Sequence, residues 1–500
     1  MKYLLIPGRF HLVTKWQIEW LKQIIDPDMV LVWAITSANL DNTRRNPVAG
    51  WRRAAALELV CKENFKNRCL VYGIDDIGRS ERFADHVIKY IEVDSQGSCK
   101  LTGDNTTVVS GTPEVIQAFA QLGYKTQQMP GKGANSLWVW QSIEQAALDI
   151  QSGKAWKKTG LWQEMDETCR EYWERYQIYL SVSDLFNDSL LGEDGEITST
   201  RDFRAYLGAF DEGAKRKYEA VRQYVRPGKI VDIGCGGGSI LLEMSRDPLL
   251  HESDLYGIEA SRELYQWCIR RKQNLEFGNE NVFFYHRNAL NTDSFTDSSV
   301  DTITAFSITH EIESYMGRDK LVEFIRQSKR QLKPGGRLVI LDVVGPRNKQ
   351  KEVLMRLNCR DGADTGELDQ LSTWGLFKRF AVDFRKEEGY KLEYEEIGTE
   401  DGWVVVKVQL ADAAEFMSKK DYHKSWFSEM HETFCFWGFE DWKGELARQG
   451  LVMLPGSKLV TNPWIVKNRY LGKVELTDLK GKPLPYPATN VLIVAVKETA

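Results

Sequence analysis

A glycine-rich loop follows a short apolar segment at residues 229–239, which read KIVDIGCGGGS. Glycine lets the backbone turn sharply and approach a ligand closely. The helix predicted over residues 240–245 would present free N–H groups and its positive dipole end to a carboxylate or phosphate. A GxGxxG dinucleotide fingerprint is not met, because Ser239 stands where the third glycine would be. The pattern indicates a ligand-binding loop but does not by itself identify the ligand.

Two further polar positions come at the ends of the next predicted strands. Glu259 ends the apolar segment 255–258, where a carboxylate can accept hydrogen bonds from both hydroxyls of a ribose. Asn288 and Ala289 follow the strand predicted over residues 282–285 and are placed to meet an adenine edge. Both positions therefore suit the nucleoside part of a ligand.

A third element comes later in the chain, at LKPGGRLVILD (332–342). This segment predicts a helix end, a Pro-Gly-Gly turn and a buried strand that ends at Asp342. The helix predicted before it, residues 321–332, carries apolar residues that recur at helical spacing and form one face.

Together these segments resemble the class I S-adenosylmethionine-dependent methyltransferases. The matching stretches are VDIGCGGGS, GIEAS (257–261), NAL (288–290), DTITAFSITHE (301–311) and LKPGGRLVILD. The resemblance covers residues 215–345 and resumes at a predicted helix, 442–449, and a last strand, 490–496. It implies a seven-stranded doubly wound sheet and S-adenosylmethionine as the cofactor.

The resemblance also implies which residues bind the cofactor. The family often has Asp where Asn288 stands, but Asn can still accept from the adenine amino group and donate to a ring nitrogen. The implied cofactor-binding residues are Asp232, Gly234, Cys235, Gly236, Gly238, Glu259, Ala260, Asn288, Ala289 and Ser307.

In this family the methyl acceptor approaches over the carboxyl ends of the fourth and fifth strands. That position makes His310, Glu311, Tyr315 and Asp342 the candidate catalytic residues. His310 has a pKa suited to a general base near neutral pH, and Glu311 could orient a base or pair with a cationic acceptor. The alternative is that His310 packs on the cofactor and Glu311 caps the next helix, because many methyltransferases need no base.

The N-terminal part has its own set of motifs. They are PGRFHLVTKWQIEWLKQI (7–24), AITSANLDNTRRNPVAGWRR (34–53), the acidic pair in YGIDDIG (72–78) and VVSGTPEVIQAFAQLGY (108–124). This part resembles the archaeal type of nicotinamide-mononucleotide adenylyltransferase, in the HxGH nucleotidyltransferase group. The resemblance implies a site for a nucleotide, ATP or related, formed by Gly8, Arg9, Phe10, Thr14, Gln17, Arg53, Ser110 and Gly111.

This N-terminal site departs from the family pattern at its two histidines. Thr14 and Gln17 stand in their places, and neither side chain carries the charge that steadies phosphates during adenylyl transfer. We therefore predict a domain that is catalytically weak or inactive as a nucleotidyltransferase. A reshaped site remains the alternative, with the positive charge supplied by Lys15, Arg44, Arg45 and Lys132.

The predicted fold class is α/β, with two doubly wound parallel-sheet (Rossmann-like) domains. We place the nucleotidyltransferase-like domain at residues 1–150, a helical connector and cap at 151–214, and the methyltransferase domain at 215–500. A substrate lid is predicted as an insertion over about 346–435.

Part of that lid, DYHKSWFSEMHETFCFWGFEDW (421–442), combines aromatic and acidic residues. Glu429 and Glu432 would share a face if this segment were helical. Aromatic rings with carboxylates could cage an amine or stack a base, or they could simply pack as a helix. His423 and His431 lack an evident third ligand, so no metal site is predicted.

Composition limits the classes of partner. The 500 residues carry a formal net charge of −5, which gives no global attraction to nucleic acid. No apolar run is long enough to span a bilayer, and eight cysteines occur without a CxxC pair. We therefore expect a cytoplasmic protein with free thiols and no membrane partner. The sequence leaves the oligomeric state open.

The predicted function is transfer of a methyl group from S-adenosylmethionine to an O or N nucleophile of a small-molecule metabolite. One alternative is a bifunctional enzyme that nucleotidylates and methylates one metabolite. Another is an RNA or protein methyltransferase that uses the N-terminal domain for recognition.

Overall fold

The structure is a computed structural model that describes residues 1–66, 68–78, 81–129, 136–188, 213–290 and 294–498. The side chains of residues 136–141 are not part of that description. The chain divides into two compact units, Met1–Glu196 and Ile197–Ala500. Each unit is described by itself below.

The first unit contains a parallel sheet of five strands. The strands are β1 (Lys2–Gly8), β2 (Met29–Ile35), β3 (Cys69–Gly73), β4 (Thr106–Ser110) and β5 (Lys125–Gln128). They lie in the order β3-β2-β1-β4-β5, and all neighbours pair in parallel. The parallel α/β sheet predicted for this part of the chain is confirmed. Strands β1, β2 and β4 are largely buried, whereas β5 reads KTQQ and is largely exposed.

Helices cover both faces of this sheet. Leu4 and Ile6 of β1 belong to one hydrophobic cluster, whereas Tyr3 and Leu5 belong to another, as expected for a strand buried on both faces. The helices are Lys15–Ile24, Gly50–Phe65, Phe83–Asp94, Pro113–Gln121, Ser136–Gln151, Gly160–Glu164, Glu167–Arg175 and Ile178–Asn187, with a 3₁₀ turn at Trp156–Lys158.

The beginning of the segment predicted as a connector packs into the core of this first unit. Trp156, Trp162, Trp173 and Val182 all belong to the cluster that covers the Leu4 face of the sheet. These helices therefore complete the hydrophobic core of Met1–Glu196. The stretch LLGEDGEITST (190–200), which breaks the predicted connector, lies outside the described residues.

The second unit contains two sheets. Their strands are β6 (Lys229–Ile233), β7 (Asp254–Glu259), β8 (Val282–His286), β9 (Val300–Phe306), β10 (Leu332–Asp342), β11 (Glu352–Asn358), β12 (Tyr394–Glu400), β13 (Trp403–Gln409), β14 (Val452–Met453), β15 (Lys458–Val460), β16 (Val474–Thr477) and β17 (Asn490–Val496). The larger sheet has the order β14-β17-β10-β9-β6-β7-β8, and β15 also pairs with β17.

The order of this larger sheet determines where a ligand can bind. Strands β6 to β10 are parallel, and β17 runs antiparallel beside β10. The chain builds outward from β6 through β7 to β8 and then returns to the other side of β6 with β9. Ligands of open α/β sheets bind at such a reversal, outside the carboxyl ends of the strands. The mixed α/β, Rossmann-like architecture is thus confirmed.

Helices of the second unit flank both sheets. Residues 213–221 are helical. The remaining α-helices are Ser239–Ser245, Arg262–Gln273, Thr309–Glu311, Arg318–Gln331, Thr373–Asp383, Leu410–Lys419, Trp426–His431, Phe439–Arg448 and Pro463–Ile465. Short 3₁₀ turns occupy Arg222–Tyr224, Pro248–Leu250 and His423–Ser425, and π turns occupy Ile312–Met316 and Val466–Tyr470.

The predicted Pro-Gly-Gly turn before β10 needs a correction. Strand β10 begins at Leu332, which pairs with Val300, and the next pair joins Arg337 to Thr302. Four residues on β10 therefore face one residue on β9, so the turn is an irregularity inside the strand. The sequence prediction placed the strand after this turn.

The smaller sheet is antiparallel, in the order β12-β13-β11-β16. Its core is formed by β11 and β13 together with buried aromatic residues, including Trp374, Phe416, Trp426 and Tyr470. This body contains most of the segment predicted as a lid. It also includes β16 and Tyr470, which lie beyond the predicted end of the lid at about residue 435.

No helix within the described ranges combines the length and the apolar character that crossing a membrane requires.

Candidate active site

The glycine-rich loop turns away from the carboxyl end of β6 through three positive φ angles. Gly234, Gly236 and Gly238 have φ values of 65°, 56° and 76°, a region that residues with a Cβ rarely adopt. A Cβ on Gly234 would also lie 2.7 Å from the side chain of Ile308. The glycines are therefore required by the backbone path and by close packing.

Backbone and side-chain groups of β7 hold this loop in place. The N–H groups of Gly234 and Cys235 donate to the Ile258 carbonyl at 2.9 and 3.0 Å. The N–H of Gly236 donates to Oε2 of Glu259 at 2.8 Å. The loop and the end of β7 therefore form one connected structure.

Glu259 is a buried carboxylate at the carboxyl end of β7. Its Oε1 accepts the N–H of Ser261 at 2.7 Å, and its Oε2 accepts the N–H of Gly236. Burial raises the pKa of Glu259 to about 7, against these two hydrogen bonds, and the charge of Glu311 adds to the rise. Each carboxylate oxygen has a second lone pair, so both can still accept a hydroxyl.

The residues predicted to meet an adenine lie after β8. Oδ1 of Asn288 accepts the N–H of Leu290 at 3.0 Å, which orients the amide, and Asn288 is buried. Ala289 packs against the core of the larger sheet. Nε2 of His286 lies 3.0 Å from the carbonyl of Ala260, which ties this loop to the one after β7.

Asp232 lies on β6, just before the glycine-rich loop, and Ser307 follows the neighbouring strand β9, away from β8 and Asn288. The Thr304 hydroxyl donates to Oδ1 of Asp232 at 2.7 Å. Burial raises the pKa of Asp232 to about 7, while Thr304 and the positive charge of Lys217 act against it. Nζ of Lys217 donates to the Ser307 hydroxyl at 3.1 Å, and Ser307 has a positive φ of 53°.

Lys217 is a polar contact that the sequence reasoning missed. Burial lowers its pKa, and the charges of Asp342 and Asp232 oppose that effect. The sequence feature that could have identified Lys217 is its position on a predicted helix. Lys217 falls between the buried residues Ala214, Tyr218 and Val221, on the apolar face of the 213–221 helix. A lysine on such a face needs buried partners.

The strongest cluster of hydrogen bonds is centred on Asp342, the last residue of β10. Its Oδ2 accepts the N–H and the hydroxyl of Thr309 at 2.7 and 2.6 Å. Its Oδ1 accepts the N–H of Val343 at 2.7 Å and lies 2.6 Å from Nδ1 of His310. Asp342 is fully buried and His310 nearly so, which fixes the orientation of the imidazole.

The other imidazole nitrogen faces a carboxylate from outside the larger sheet. Nε2 of His310 lies 3.4 Å from Oε2 of Glu432. The Tyr315 hydroxyl donates to Oε1 of Glu432 at 3.2 Å. Glu432 is fully buried and follows directly after the helix Trp426–His431. Its helical pairing with Glu429, considered from the sequence, is therefore incorrect, because the helix ends at His431.

The two carboxylates dominate the titration of His310. Burial alone would lower the pKa of His310, but the charges and hydrogen bonds of Asp342 and Glu432 outweigh it. The pKa of His310 is consequently held well above its usual value. Burial acts to raise the pKa of Asp342, but His310 and Thr309 reverse this and lower it. The two carboxylates thus favour the protonated form of His310.

Glu311 is adjacent to His310 in sequence but lies toward the cofactor side. Its charge raises the pKa of Glu259, whereas His310 contacts Asp342 and Glu432. The structure therefore brings His310, Tyr315 and Asp342 together through Glu432, and it brings the charge of Glu311 near Glu259.

A second buried ion pair supports Glu432. Nζ of Lys419 lies 2.9 Å from Oε2 of Glu415 and also donates to the backbone carbonyl of Glu432. The ammonium lies 4.6 Å from the Phe384 ring centroid and 4.5 Å from that of Phe434. The sequence reasoning did not single out Lys419 or Glu415. Their spacing of four residues on one helix was the available signal.

In the first unit, Thr14 and Gln17 form a reciprocal helix cap. The N–H of Gln17 donates to the Thr14 hydroxyl at 3.2 Å, and the N–H of Thr14 donates to Oε1 of Gln17 at 2.9 Å. Both side chains thereby satisfy N–H groups at the start of the helix Lys15–Ile24.

Arg53 is also engaged by the backbone. It is fully buried, and its two terminal nitrogens donate to four carbonyls. These carbonyls belong to Arg9, Thr36, Ser37 and Leu40, at 2.9, 3.0, 2.6 and 3.2 Å. In this arrangement Arg53 joins the loops that follow β1 and β2.

The other predicted nucleotide-binding residues lie at the carboxyl ends of β1 and β4. A Cβ on Gly8 would stand 2.8 Å from the Phe10 ring, and Phe10 has a φ of 47°. The Ser110 hydroxyl is buried and accepts the N–H of Thr112 at 3.1 Å, while Gly111 is half-buried.

Two of the cations considered for a reshaped nucleotide site contact backbone carbonyls. Lys15 and Arg44 donate to the carbonyls of residues 163 and 188, at 3.0 and 2.9 Å. A third, Arg45, accepts a hydrogen bond from the Arg9 side chain at its backbone carbonyl, at 3.3 Å. Lys132 lies outside the described residues.

The histidines of the segment 421–442 have separate surroundings. Nε2 of His423 lies 3.1 Å from the carbonyl of Lys420, and Nδ1 of His431 lies 3.0 Å from Oε1 of Glu388. Across the part of the chain that the structure describes, no three His, Cys, Asp or Glu side chains are grouped as metal ligands would be.

Residues 226–392 match the family model described as a methyltransferase domain. This match covers β6 to β10 and the start of the antiparallel body, and therefore contains the loop, Glu259, Asn288, His310 and Asp342. The protein is a methyltransferase enzyme, and its cofactor is S-adenosylmethionine. No curated protein sequence matches the chain.

Several solved structures are similar to this chain. An S-adenosylmethionine-dependent methyltransferase from Methanosarcina mazei is 16% identical, with 57% of this chain and 99% of that chain covered and a TM-score of 0.31. The YcgJ protein from Bacillus subtilis is 15% identical, with 59% and 100% covered and a TM-score of 0.31. Geranyl diphosphate C-methyltransferase from Streptomyces coelicolor is 13% identical, with 62% and 89% covered and a TM-score of 0.31.

The residues at the ends of β6 and β7 fit S-adenosylmethionine. The Glu259 carboxylate retains acceptor capacity in a buried place, which two ribose hydroxyls would satisfy. Glycines at 234, 236 and 238 keep the loop free of side chains, so a ligand can approach its backbone. Lys217, on the Asp232 side, supplies a cation suited to a carboxylate.

Proposed function

We propose that this methyltransferase acts on an O or N nucleophile of a small-molecule metabolite, with His310 as the general base. The observation that carries the proposal is the buried pair of His310 and Asp342, whose Nδ1 and Oδ1 atoms are 2.6 Å apart. The pair lies at the carboxyl ends of β9 and β10, beside the residues that fit the cofactor.

Each residue of this site has a separate task. Bound S-adenosylmethionine supplies an electrophilic methyl group. Asp342, held by Thr309 and Val343, fixes the imidazole so that Nε2 points away from the sheet. Neutral His310 takes the proton of the acceptor at Nε2. Glu432 occupies this direction at 3.4 Å, so an acceptor must enter between the two side chains or displace the carboxylate.

Enclosure of this site supports a small acceptor. His310, Asp342 and Glu432 are all buried. The segment 421–442, predicted from the sequence to lie over the acceptor, supplies Glu432 and also Phe434, whose ring centroid lies 5.0 Å from that of His310. A closed, aromatic-walled site excludes water and suits a small molecule better than a polymer.

The experiment that tests this proposal is transfer of label from S-adenosylmethionine into extract of the source cells, separated into small molecules, RNA and protein. We expect label in the small-molecule fraction. His310→Gln should reduce it by about 10²–10⁴-fold, the usual contribution of a general base, with retained affinity for S-adenosylhomocysteine. Label in RNA or protein would overturn the substrate class. Equal labelling by His310→Gln would overturn the role of His310 as base.

For the first unit, we propose a nucleotidyltransferase-like domain that is catalytically weak or inactive. Its support is the cap formed by Thr14 and Gln17, which uses both side chains at the start of a helix. The nucleotidyltransferases that this part of the sequence resembles have phosphate-contacting histidines there. Pyrophosphate release from ATP and nicotinamide mononucleotide should be low for the wild type. It should rise in a Thr14→His and Gln17→His double variant if the nucleotide pocket is retained. Fast release by the wild type would instead favour the bifunctional enzyme.

A further inference from the structure

Two residues of one helix form an ion pair inside the antiparallel body. Nζ of Lys419 lies 2.9 Å from Oε2 of Glu415, one turn earlier on the helix Leu410–Lys419. The two side chains are 0% and 3% exposed. Taking two charges out of water has a high free-energy cost, and apolar side chains of similar size are often at least as stabilising as a buried pair. Stability alone is therefore a poor explanation for this pair.

Both members of the pair bind the backbone of residues 432–435, called the wall segment below. Nζ of Lys419 donates to the carbonyl of Glu432. Oε1 of Glu415 accepts the N–H of Cys435 at 2.6 Å. One ion pair therefore holds the first and the last residue of the wall segment.

The two residues between these ends have contacts of their own. The ammonium of Lys419 lies 4.5 Å from the centroid of the Phe434 ring, where a cation is attracted to the ring. The N–H of Thr433 donates to the Ser314 hydroxyl at 2.8 Å, and Ser314 belongs to the π turn Ile312–Met316. The wall segment is thus held from two sides, by a helix of the antiparallel body and by this turn.

Side chains of the wall segment reach the proposed general base. Oε2 of Glu432 lies 3.4 Å from Nε2 of His310. The ring centroid of Phe434 lies 5.0 Å from that of His310. The position of the wall segment therefore sets both the charge beside the base and the space that is left for an acceptor.

We propose that Lys419 and Glu415 are positioning residues for methyl transfer, which hold the wall segment at the distance from His310 that the acceptor requires. The inference rests on the proposed function, because it takes the acceptor to bind beside His310. It explains why a charged pair is kept in a buried place. Apolar side chains would fill the same volume, but the carbonyl of Glu432 and the N–H of Cys435 would lose these hydrogen bonds.

The charges around the pair determine which variant tests this role. The charge of Glu415 also acts on Asp412 and on Tyr390. Loss of Lys419 alone would remove one positive charge and would change nearby titrations directly. Removal of both members leaves the net charge unchanged, so a change at His310 then reports a displacement of the wall segment.

The test is the double variant Glu415→Leu and Lys419→Met, which removes both backbone contacts. The pKa of His310 is measured by NMR in protein that is saturated with S-adenosylhomocysteine and carries labelled histidine. His310→Gln assigns the signal among the seven histidines. We expect the proton affinity of His310 to fall about tenfold or more, the size of losing a close opposite charge. Transfer of label to the small molecules of the extract should fall as well, with unchanged affinity for S-adenosylhomocysteine.

Lys420→Met is the matched control. Lys420 is the next residue along the chain, is buried as well, and pairs with Asp421 at 2.7 Å. Its loss should leave the pKa of His310 and the transfer of label unchanged. A folded double variant with the wild-type pKa of His310 would overturn the proposal. An equal fall of that pKa in Lys420→Met would overturn it too.

A measurement on the wild type applies if the double variant does not fold. The amide of Cys435, which donates to Glu415, should exchange hydrogen within about tenfold of the rate of Val406 in the central strand β13 of the same body. Faster exchange would overturn the proposal. Neither the NMR nor the exchange measurement needs an acceptor. Failure of the proposed function would therefore be seen separately, as label in RNA or protein.

Discussion

Oε2 of Glu259 accepts the backbone N–H of Gly236 at 2.8 Å, so the carboxylate at the end of β7 also holds the glycine-rich loop. A residue predicted to bind the ribose therefore also shapes the glycine-rich loop of the predicted cofactor site. Its removal should affect the loop as well as the contact with the ribose.

Glu259→Ala should weaken binding of S-adenosylhomocysteine by about 1–3 kcal/mol, the scale of leaving buried partners unsatisfied. Isothermal titration calorimetry measures this change directly. Glu280→Ala is the matched control, because Glu280 is exposed in the loop before β8. Unchanged affinity in Glu259→Ala would contradict the ribose assignment.

Cofactor affinity should depend on pH through the same carboxylate. Burial raises the pKa of Glu259 to about 7, and only its ionised form accepts both ribose hydroxyls. Affinity for S-adenosylhomocysteine should therefore rise with pH and level off above about pH 7, with up to tenfold lost per pH unit below. Calorimetry on Asp232→Asn, which removes a second group that titrates near the same pH, isolates the contribution of Glu259. An affinity in this variant that does not change with pH would contradict the prediction.

Stability of the cofactor-free protein should fall as pH rises toward neutrality. Asp232 ionises near its usual pKa of about 3.9 in the unfolded chain, but burial raises its pKa to about 7 in the folded protein. Between these values the folded state holds a proton that the unfolded chain has lost, so raising the pH lowers the free energy of unfolding. Denaturant titrations at several pH values measure how steeply the free energy of unfolding falls with pH. This slope should be smaller in Asp232→Asn than in the wild type. Glu259 contributes in the same direction, so some slope should remain. An identical slope in both proteins would contradict the assignment.

Asp342→Asn tests how His310 is controlled. The change preserves shape but removes the nearest of the charges that hold the pKa of His310 above its usual value. An imidazolium cannot accept a proton, so the wild-type rate should fall as pH drops through this raised pKa. In Asp342→Asn the fall should move to lower pH, and kcat should decrease by about 10²–10⁴-fold as the imidazole loses its orientation. A pH profile of kcat/KM with the acceptor found in the extract measures both effects.

Asp319→Asn, an exposed residue, is the control. An acid limb that does not move would contradict the role of Asp342.

Local patterns in the sequence predicted most of the larger sheet. The apolar runs that became β6 to β8 and β17, and the glycine loop after β6, depend on neighbours within a few residues. For the same reason Glu259 and Asn288 could be placed at strand ends. The irregularity in β10 could not be predicted, because it is defined by pairing with Val300 and Thr302 of another strand.

The contacts that complete the site depend on distant packing. Glu432 reaches His310 from a segment 122 positions later, carried by an antiparallel body whose strands pair across long separations. Lys217 approaches Ser307 from a helix 90 positions earlier. Glu311 and His310 are neighbours in sequence, yet the charge of Glu311 acts on Glu259 whereas His310 contacts Asp342. Composition and residue spacing therefore do not predict these contacts between residues that are distant in sequence.

Thr14 offers a test of the first unit that does not depend on any ligand. Because its hydroxyl accepts the N–H of Gln17, Thr14→Ala should destabilise the start of the helix Lys15–Ile24 by about 0.5–2 kcal/mol. Native-state hydrogen exchange of the first-turn amides measures this loss, and Thr14→Ser, which keeps the hydroxyl, should show little change. If Thr14→Ala exchanged like the wild type, the cap would not be the reason for a threonine here, and a role toward a nucleotide would become the better explanation for Thr14.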